Sequence, residues 1–119
     1  MPAEIRITRN FEDNLDRIRE FLLQVSPEQA AQRLTILERE VVAACSLLAA
    51  HPAIGRSLHG ATNRKLDLAL RQLQARTKAL GAGELREWIV GEYTLLYAGS
   101  AEAVHLLALK HQRQLAYLL

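Results

Sequence analysis

The feature that most constrains the fold of this chain is a pair of strand-type runs in its last third, on either side of a short turn at Gly99–Glu102. The apolar spacing shifts at Gly91, which indicates a tight turn or a bulge there. Together these signals predict a three-stranded antiparallel meander between Leu85 and His111. Its first two strands carry the branched and aromatic residues that suit a pleated surface: Trp88, Val90, Tyr93, Leu95 and Tyr97.

A short strand and a first helix are predicted near the N-terminus. Ile5 and Ile7 alternate with polar residues, which indicates a strand with one buried face. Asn10 is predicted to cap the helix, because acidic residues follow it in the first turn, where the helix dipole favours them. One apolar stripe then recurs at helical spacing: Phe11, Leu15, Ile18, Leu22 and Val25.

The second helix has a clear start and a clear stop. Ser26 and Gln29 form the pattern of a capping box around Pro27, and His51-Pro52 ends the helix. Two consecutive helices joined by a tight turn predict a helical hairpin. The buried face of the second helix is predicted to contain Ala30, Leu34, Leu37, Val41, Cys45 and Leu48.

Residues 57–83 separate the hairpin from the meander and are predicted to contain an inserted helix. Good helix formers dominate the segment, and Gly81-Ala82-Gly83 is typical of a helix end. We expect its leucine stripe to be buried against the hairpin or against a second copy of the chain. The stripe contains Leu66, Leu70, Leu73 and Leu80, although Leu66, Leu68 and Leu70 also alternate as at the start of a strand.

The fold class that follows is α+β: an N-terminal helical hairpin packed on a small, mainly antiparallel sheet, with an inserted helix before the C-terminal meander. The length of 119 residues suits one domain spanning residues 1–119.

Residues 1–50 carry six Arg and eight Asp or Glu, whereas residues 51–119 carry nine Lys or Arg and five Asp or Glu. The second half is therefore the better candidate for meeting an acidic partner, and a solvated, mildly basic face explains the same excess equally well.

Several classes of protein lack support in the sequence. Cys45 is the single cysteine and lies in an apolar run, so we expect a buried structural thiol and no intramolecular disulfide. Neither a signal-peptide pattern nor an apolar run of roughly 20 residues occurs, so a cytoplasmic location and no membrane contact are expected. The four histidines lack the spacing of metal ligands, and no glycine-rich phosphate loop is present, so we expect no metal and no cofactor.

Short motifs follow the second helix in a fixed order: Pro52, Gly55-Arg56, Arg86, Tyr93 and Tyr97 in a Tyr-x-x-x-Tyr strand, and His111-Gln112-Arg113. This order resembles that of the RelE/ParE superfamily of bacterial toxins, over residues 3–56 and 85–117. The resemblance implies a helical hairpin on a small sheet. It also implies the toxin of a type II toxin–antitoxin pair.

The chain departs from the superfamily pattern in two ways, and the second departure favours its ParE branch. Residues 57–83 stand where related chains have only a few residues. Members that cleave messenger RNA often carry an arginine where this chain has Thr94 and a lysine where it has Glu87, and Gln112 interrupts the last basic segment. Members of the ParE branch are thought to bind DNA gyrase rather than to cut RNA.

The leading expectation is therefore a ParE-like toxin that binds a cellular target such as DNA gyrase and is neutralised by a cognate antitoxin. The target-binding residues implied by the resemblance are Arg56, Arg86, His111 and Arg113. The alternatives are a RelE-like, metal-independent endonuclease acting on ribosome-bound mRNA, or a degenerate, non-toxic binding module. A homodimer is a further expectation. An endonuclease would use Arg86 and the catalytic set His111, Arg113 and Tyr117.

The same residues also have structural explanations. Trp88 and Tyr97 are expected to fill the interface between sheet and helices, as aromatic residues on strands usually do. His111 would close a strand, and Tyr117 would cover the core. For Arg86, contact with a target and a surface ion pair with a neighbour are equally well supported by the sequence.

Overall fold

The computed structural model describes residues 1–58 and 68–119, which form three helices and a five-stranded sheet. The sheet order is β1-β5-β4-β3-β2, with β1 parallel to β5 and every other neighbour antiparallel. The α+β class, the hairpin, the mainly antiparallel sheet and the helix before the meander are confirmed. In chain order the elements are β1 Glu4–Ile7, α1 Arg9–Val25, α2 Ala30–Ala50, β2 Arg56–Ser57, α3 Leu68–Ala79, β3 Glu84–Val90, β4 Tyr93–Gly99 and β5 Ala103–His111.

The meander has two short turns and one bulge. Gly91 has a φ of +59° in the two-residue turn that joins β3 to β4, a conformation that favours glycine. The pairing of β4 with β5 shifts between Leu96 and Tyr97, which leaves Leu107 as the extra residue on β5. No sequence pattern indicates this bulge.

Both faces of the sheet are apolar, and each has its own layer. Leu95 and Leu96 are adjacent on β4, point to opposite faces and are both fully buried. The hairpin covers the first face, which we call the hairpin face. Its core contains Phe11, Ile18, Leu22, Leu37, Val41, Leu48, Val90, Leu95, Tyr97, Val104, Leu106 and Leu109.

The opposite face of the sheet is covered by α3, and we call it the α3 face. Its core contains Leu58, Leu70, Leu85, Leu96, Ala98, Ala108 and Tyr117, with Leu73 packed against them. The prediction that the inserted helix lies against the hairpin is therefore wrong, because a sheet with two apolar faces requires a second layer. Leu80 of the predicted stripe is 82% exposed, and Leu66 lies outside the described residues.

The start of α1 differs from the prediction. Thr8, not Asn10, is the N-cap: its Oγ1 accepts a hydrogen bond from the Phe11 amide at 3.3 Å. Asn10 lies inside the helix, and its side chain instead donates to the carbonyls of Leu107 and Leu118, at 2.9 Å each. Asparagine is a common N-cap residue, so the sequence suggested a local role for a side chain whose contacts are 97 and 108 residues away.

The start of α2 also differs. The amide of Gln29 donates to the carbonyl of Ser26 at 3.0 Å, so residues 27–29 form a turn and the helix begins at Ala30. Gln29 is the N-cap without a side-chain capping bond, so the capping box does not form. The predicted buried faces are otherwise confirmed, except that Ile7 and Val25 are more than half exposed.

Candidate functional site

The Pro52–Arg56 motif forms a collar around one buried hydroxyl. The amide of Gly55 donates to the Tyr97 hydroxyl at 2.8 Å, and that hydroxyl donates to the carbonyl of Pro52 at 2.9 Å. A Cβ on Gly55 would lie 2.5 Å from the same hydroxyl oxygen, so glycine alone fits there. Burial raises the pKa of Tyr97, while the Gly55 amide and the charge of Arg86 act against that rise. The expected packing role of Tyr97 is confirmed.

Arg86 lies on the hairpin face and reinforces the collar. It donates to the carbonyl of Gly55 at 2.9 Å, and its guanidinium lies 3.6 Å from a carboxylate oxygen of Glu84. Only 21% of its side chain is exposed. The structure therefore shows the ion pair with a neighbour, and the contact with a target stays a prediction.

A polar cluster lies on the α3 face, and its centre is a buried carboxylate. Glu87 is 5% exposed, and Arg56 contacts one of its oxygens at 2.6 Å. The Tyr117 hydroxyl donates to the other oxygen at 2.5 Å. Lys110 is 8% exposed, lies 5.3 Å from the centre of the Tyr117 ring and donates to the carbonyl of Gln114 at 3.1 Å. We call Arg56, Glu87, Lys110 and Tyr117 the Glu87 cluster.

The Glu87 cluster borders an open cleft of about 780 Å³ on the uncovered part of this face. The side chain of Arg56 is 71% exposed at its rim, which makes Arg56 the most accessible of the cluster's cations. Thr94 also lines the cleft, opposite Lys110 in the strand register. The cleft thus combines exposed and buried cations with a carboxylate that two side chains hold in place.

His111 and Arg113 lie together at the end of β5. The amide of Arg113 donates to Nδ1 of His111 at 3.1 Å, and Nε2 of His111 is 3.9 Å from a carboxylate oxygen of Glu92. The ring of His111 packs edge to face on Tyr93, with 5.3 Å between ring centres. Because Tyr93 belongs to the hairpin-face core, His111 lies on that face.

The predicted site residues are therefore divided between two faces. His111 and Arg86 are on the hairpin face, whereas Arg56 and Tyr117 are on the α3 face, joined through Glu87. The structure does not bring Tyr117 together with His111. Tyr117 instead packs in the α3-face core, which agrees with the alternative prediction that this residue covers the core. Lys110, which the sequence analysis did not select, is the basic residue beside Tyr117. Because neighbouring residues on a strand point to opposite faces, the position of Lys110 next to His111 already indicated that Lys110 lies on the α3 face.

Among the described residues, no helix is long and apolar enough to cross a membrane. The same residues contain no cluster of potential metal ligands. No group of three or more potential ligands among His, Cys, Asp and Glu occurs in residues 1–58 and 68–119. Cys45 is half-buried against the hairpin-face core, and burial raises the pKa of its thiol. A protonated thiol in that position is inert, as expected for a structural cysteine.

Comparison with protein families decides the assignment. The family model of the ParE toxin of the type II toxin–antitoxin system parDE matches residues 5–116. The chain belongs to the ParE toxin family. The match spans the hairpin, α3 and all of the sheet except the first residue of β1. Membership confirms the suspected ParE branch and implies an antitoxin as the partner.

Solved structures show the same fold at low sequence identity. A chain of the chromosomal ParDE toxin–antitoxin system from P. aeruginosa superposes with a TM-score of 0.56 and 12% identity, over 92% of this chain and 95% of that one. No curated protein matches the chain significantly in sequence. The fold is thus shared over most of both chains, although most residues differ.

Proposed function

We propose that this chain is the toxin of a ParE-type toxin–antitoxin pair and that it acts by binding a cytoplasmic target such as DNA gyrase. A cognate antitoxin neutralises it. The whole of residues 1–119 would form one toxin domain, because a single sheet supplies side chains to both cores. The observation that carries the proposal is the division of the would-be catalytic residues between two faces of the sheet.

RNA cleavage requires a base near the 2′-hydroxyl and cations near the phosphate, within hydrogen-bond reach of one substrate. In this chain the tyrosine and the histidine of the predicted set are on opposite faces. The α3 face, where Tyr117 lies, has the Glu87 carboxylate at its centre, which repels a phosphate and occupies both the hydroxyl of Tyr117 and the guanidinium of Arg56. This arrangement favours binding over cleavage.

The test is induced expression in a bacterial host, with two readouts: DNA supercoiling by gyrase and the integrity of ribosome-bound transcripts. We expect growth arrest with impaired supercoiling and intact mRNA. The double variant His111→Gln, Arg113→Ala is the informative companion, because a nuclease based on these residues would lose cleavage. Codon-dependent cleavage of mRNA would overturn the proposal in favour of the endonuclease. Harmless expression of the folded protein would favour the degenerate binding module.

Neutralisation is tested by co-expressing any small acidic reading frame that lies next to the gene. Rescue of growth, with a stable complex on size exclusion, is the expected result. If no adjacent frame restores growth, the antitoxin part of the proposal is wrong.

A further inference from the structure

The cleft beside the Glu87 cluster, which we call the α3-face cleft, has exposed aliphatic side chains in its lining. Ile89 is 67% exposed and Ile54 is 43% exposed, and both line the cleft. Ile89 points to the same face of the sheet as Glu87, because residues two apart on a strand share a face. Exposed apolar side chains that share one concave surface are typical of a protein-binding site.

The charge that this cleft offers to a ligand comes from Arg56. The side chain of Arg56 is 71% exposed, whereas Lys110 is 8% exposed and Glu87 is 5% exposed. One Nη atom of Arg56 donates to Glu87 at 2.6 Å. A guanidinium has five N–H donors, so others are left for a second carboxylate. Because Glu87 holds Arg56 in place at the rim, the cleft presents a preorganised cation that is complementary to an acidic side chain.

The outer edge of β3 is open at the same place. The amide of Leu58 donates to the carbonyl of Leu85 at 3.1 Å, so the backbone groups of Leu85 and of every second residue after it face the β2 side. β2 pairs only with Arg86 and Glu87, so among the described residues no strand pairs with the amide and carbonyl of Ile89 on that side. An open donor and acceptor beside an apolar side chain suit an extended peptide.

We infer that the α3-face cleft binds an extended segment of a partner protein that carries an aliphatic residue and a carboxylate on one side. The aliphatic side chain packs on Ile89 and Ile54, and the carboxylate pairs with Arg56. A nucleic acid fits the cleft less well, because the Glu87 carboxylate repels phosphate. The aromatic side chain in the lining, Trp88, packs against the hairpin-face core and gives bases little to stack on.

Under the proposed function the segment belongs to the target of the toxin, so the inference rests on that function for its biological partner and on the cleft alone for its chemistry. The test is a displayed library of ten-residue segments in which Val, Leu, Asp, Glu, Lys, Gln and Ser vary freely. The library is first depleted on the Ile89→Ser variant, which removes segments that bind elsewhere, and is then selected on the parent chain. Segments with a carboxylate two residues from an aliphatic residue should be enriched.

Matched controls are available on β1, the strand at the opposite edge of the sheet. Arg6 is an exposed strand arginine that pairs with a neighbouring glutamate, as Arg56 does, and Ile7 is 53% exposed. Neither of them lines the cleft. Arg56→Gln, which keeps a donor for its glutamate, and Ile89→Ser should each weaken the selected segments by about tenfold or more. Arg6→Gln and Ile7→Ser should weaken them by less than about twofold, and thermal midpoints show that each variant is folded.

A 12-nucleotide single-stranded RNA serves as the competing probe and should not displace the selected segments. The inference is overturned if no segment is selected, if the selected segments lack carboxylates, or if the controls weaken binding as much as the cleft variants. Binding of the RNA that depends on Arg56 but not on Ile89 would assign the cleft to nucleic acid instead. Growth arrest without selected segments would leave the proposed function intact and remove this inference, and selected segments without growth arrest would do the reverse.

Discussion

Tyr97 connects the sheet to the loop before β2 through a single oxygen that both donates and accepts. The two partners of its hydroxyl, Pro52 and Gly55, are 45 and 42 residues away in sequence. One hydroxyl group therefore links Pro52, Gly55 and Tyr97. Gly55 lets the backbone approach the hydroxyl closely, and the hydroxyl accepts the hydrogen bond of the Gly55 amide.

Tyr97→Phe should destabilise the protein by about 1–3 kcal/mol, because the buried amide of Gly55 loses its acceptor. Urea unfolding followed by circular dichroism measures the change. Tyr93→Phe is the matched control, since the Tyr93 hydroxyl makes no hydrogen bond within residues 1–58 and 68–119. Equal losses in the two variants would show that the collar contributes nothing specific.

The same residue sets a dependence of stability on alkaline pH. Burial raises the pKa of Tyr97 above its ordinary value of 10.0, so the unfolded chain loses this proton at a lower pH than the folded chain does. The stability from Tyr97 is thus complete below the unfolded-state pKa and is lost as the pH rises through the folded-state pKa. Burial of Cys45 and of Tyr93 acts in the same direction.

We therefore expect the free energy of unfolding to fall as the pH is raised above about 10, and to fall less steeply in Tyr97→Phe than in the parent chain. Denaturant titrations at a series of alkaline pH values supply both slopes. Parallel slopes would mean that Tyr97 does not carry this titration.

At the scale of elements, periodicity predicted most of what the structure contains. The stripes of α1 and α2 and the three strands of the meander were evident, because each buries one face and repeats at its own period. Caps were less predictable: Asn10 and Gln29 have the right chemistry for their predicted roles, but the contacts of Asn10 with Leu107 and Leu118 are set by tertiary structure. The bulge at Leu107 is equally a product of pairing between strands.

The layer that α3 occupies was not predictable from its own sequence. Its stripe showed only that it is buried, while the adjacent fully buried residues Leu95 and Leu96 show that the sheet needs cover on both sides. The separation of Tyr117 from His111 was unpredictable for a related reason. His111, Arg113 and Tyr117 are close in sequence, but the course of the tail places Tyr117 on the opposite face from His111, while Arg113 stays beside His111.

The placement of α3 predicts the effect of one substitution at this scale. Leu70→Ala should cost about 2–5 kcal/mol, because Leu70 is 5% exposed in the α3-face core. Leu80→Ala, just after the same helix, should change stability by less than about 0.5 kcal/mol, because Leu80 is 82% exposed. Thermal unfolding of the two variants compares them directly. A small effect of Leu70→Ala would show that the α3 layer is dispensable to the domain.

At the scale of the whole molecule, the question is whether the basic residues implied by the ParE resemblance act in one site or in two. Arg56 is on the edge strand β2 and Arg113 follows β5, three strand spacings away, or about 14 Å, and their neighbours Glu87 and His111 point to opposite faces. No single phosphate can contact both arginines. A large protein such as a gyrase subunit can contact both arginines, because protein–protein interfaces of standard size bury roughly 800 Å² on each partner.

Two distant contacts with one large target should contribute independently. Arg56→Ala and Arg113→Ala are each expected to raise the inducer concentration that arrests growth, and the double variant should show the product of the two factors, since distant sites add within about 0.5 kcal/mol. Arg19→Ala, an exposed arginine of α1, is the control, and immunoblots confirm equal protein levels. A single catalytic site behaves otherwise, because residues that act as one unit are non-additive and the second loss adds little to the first. If the double variant is no less toxic than the less toxic of the two single variants, the two arginines do not contribute independently and the proposal of two separate contacts is wrong. A single variant without effect would remove its arginine from the target contact.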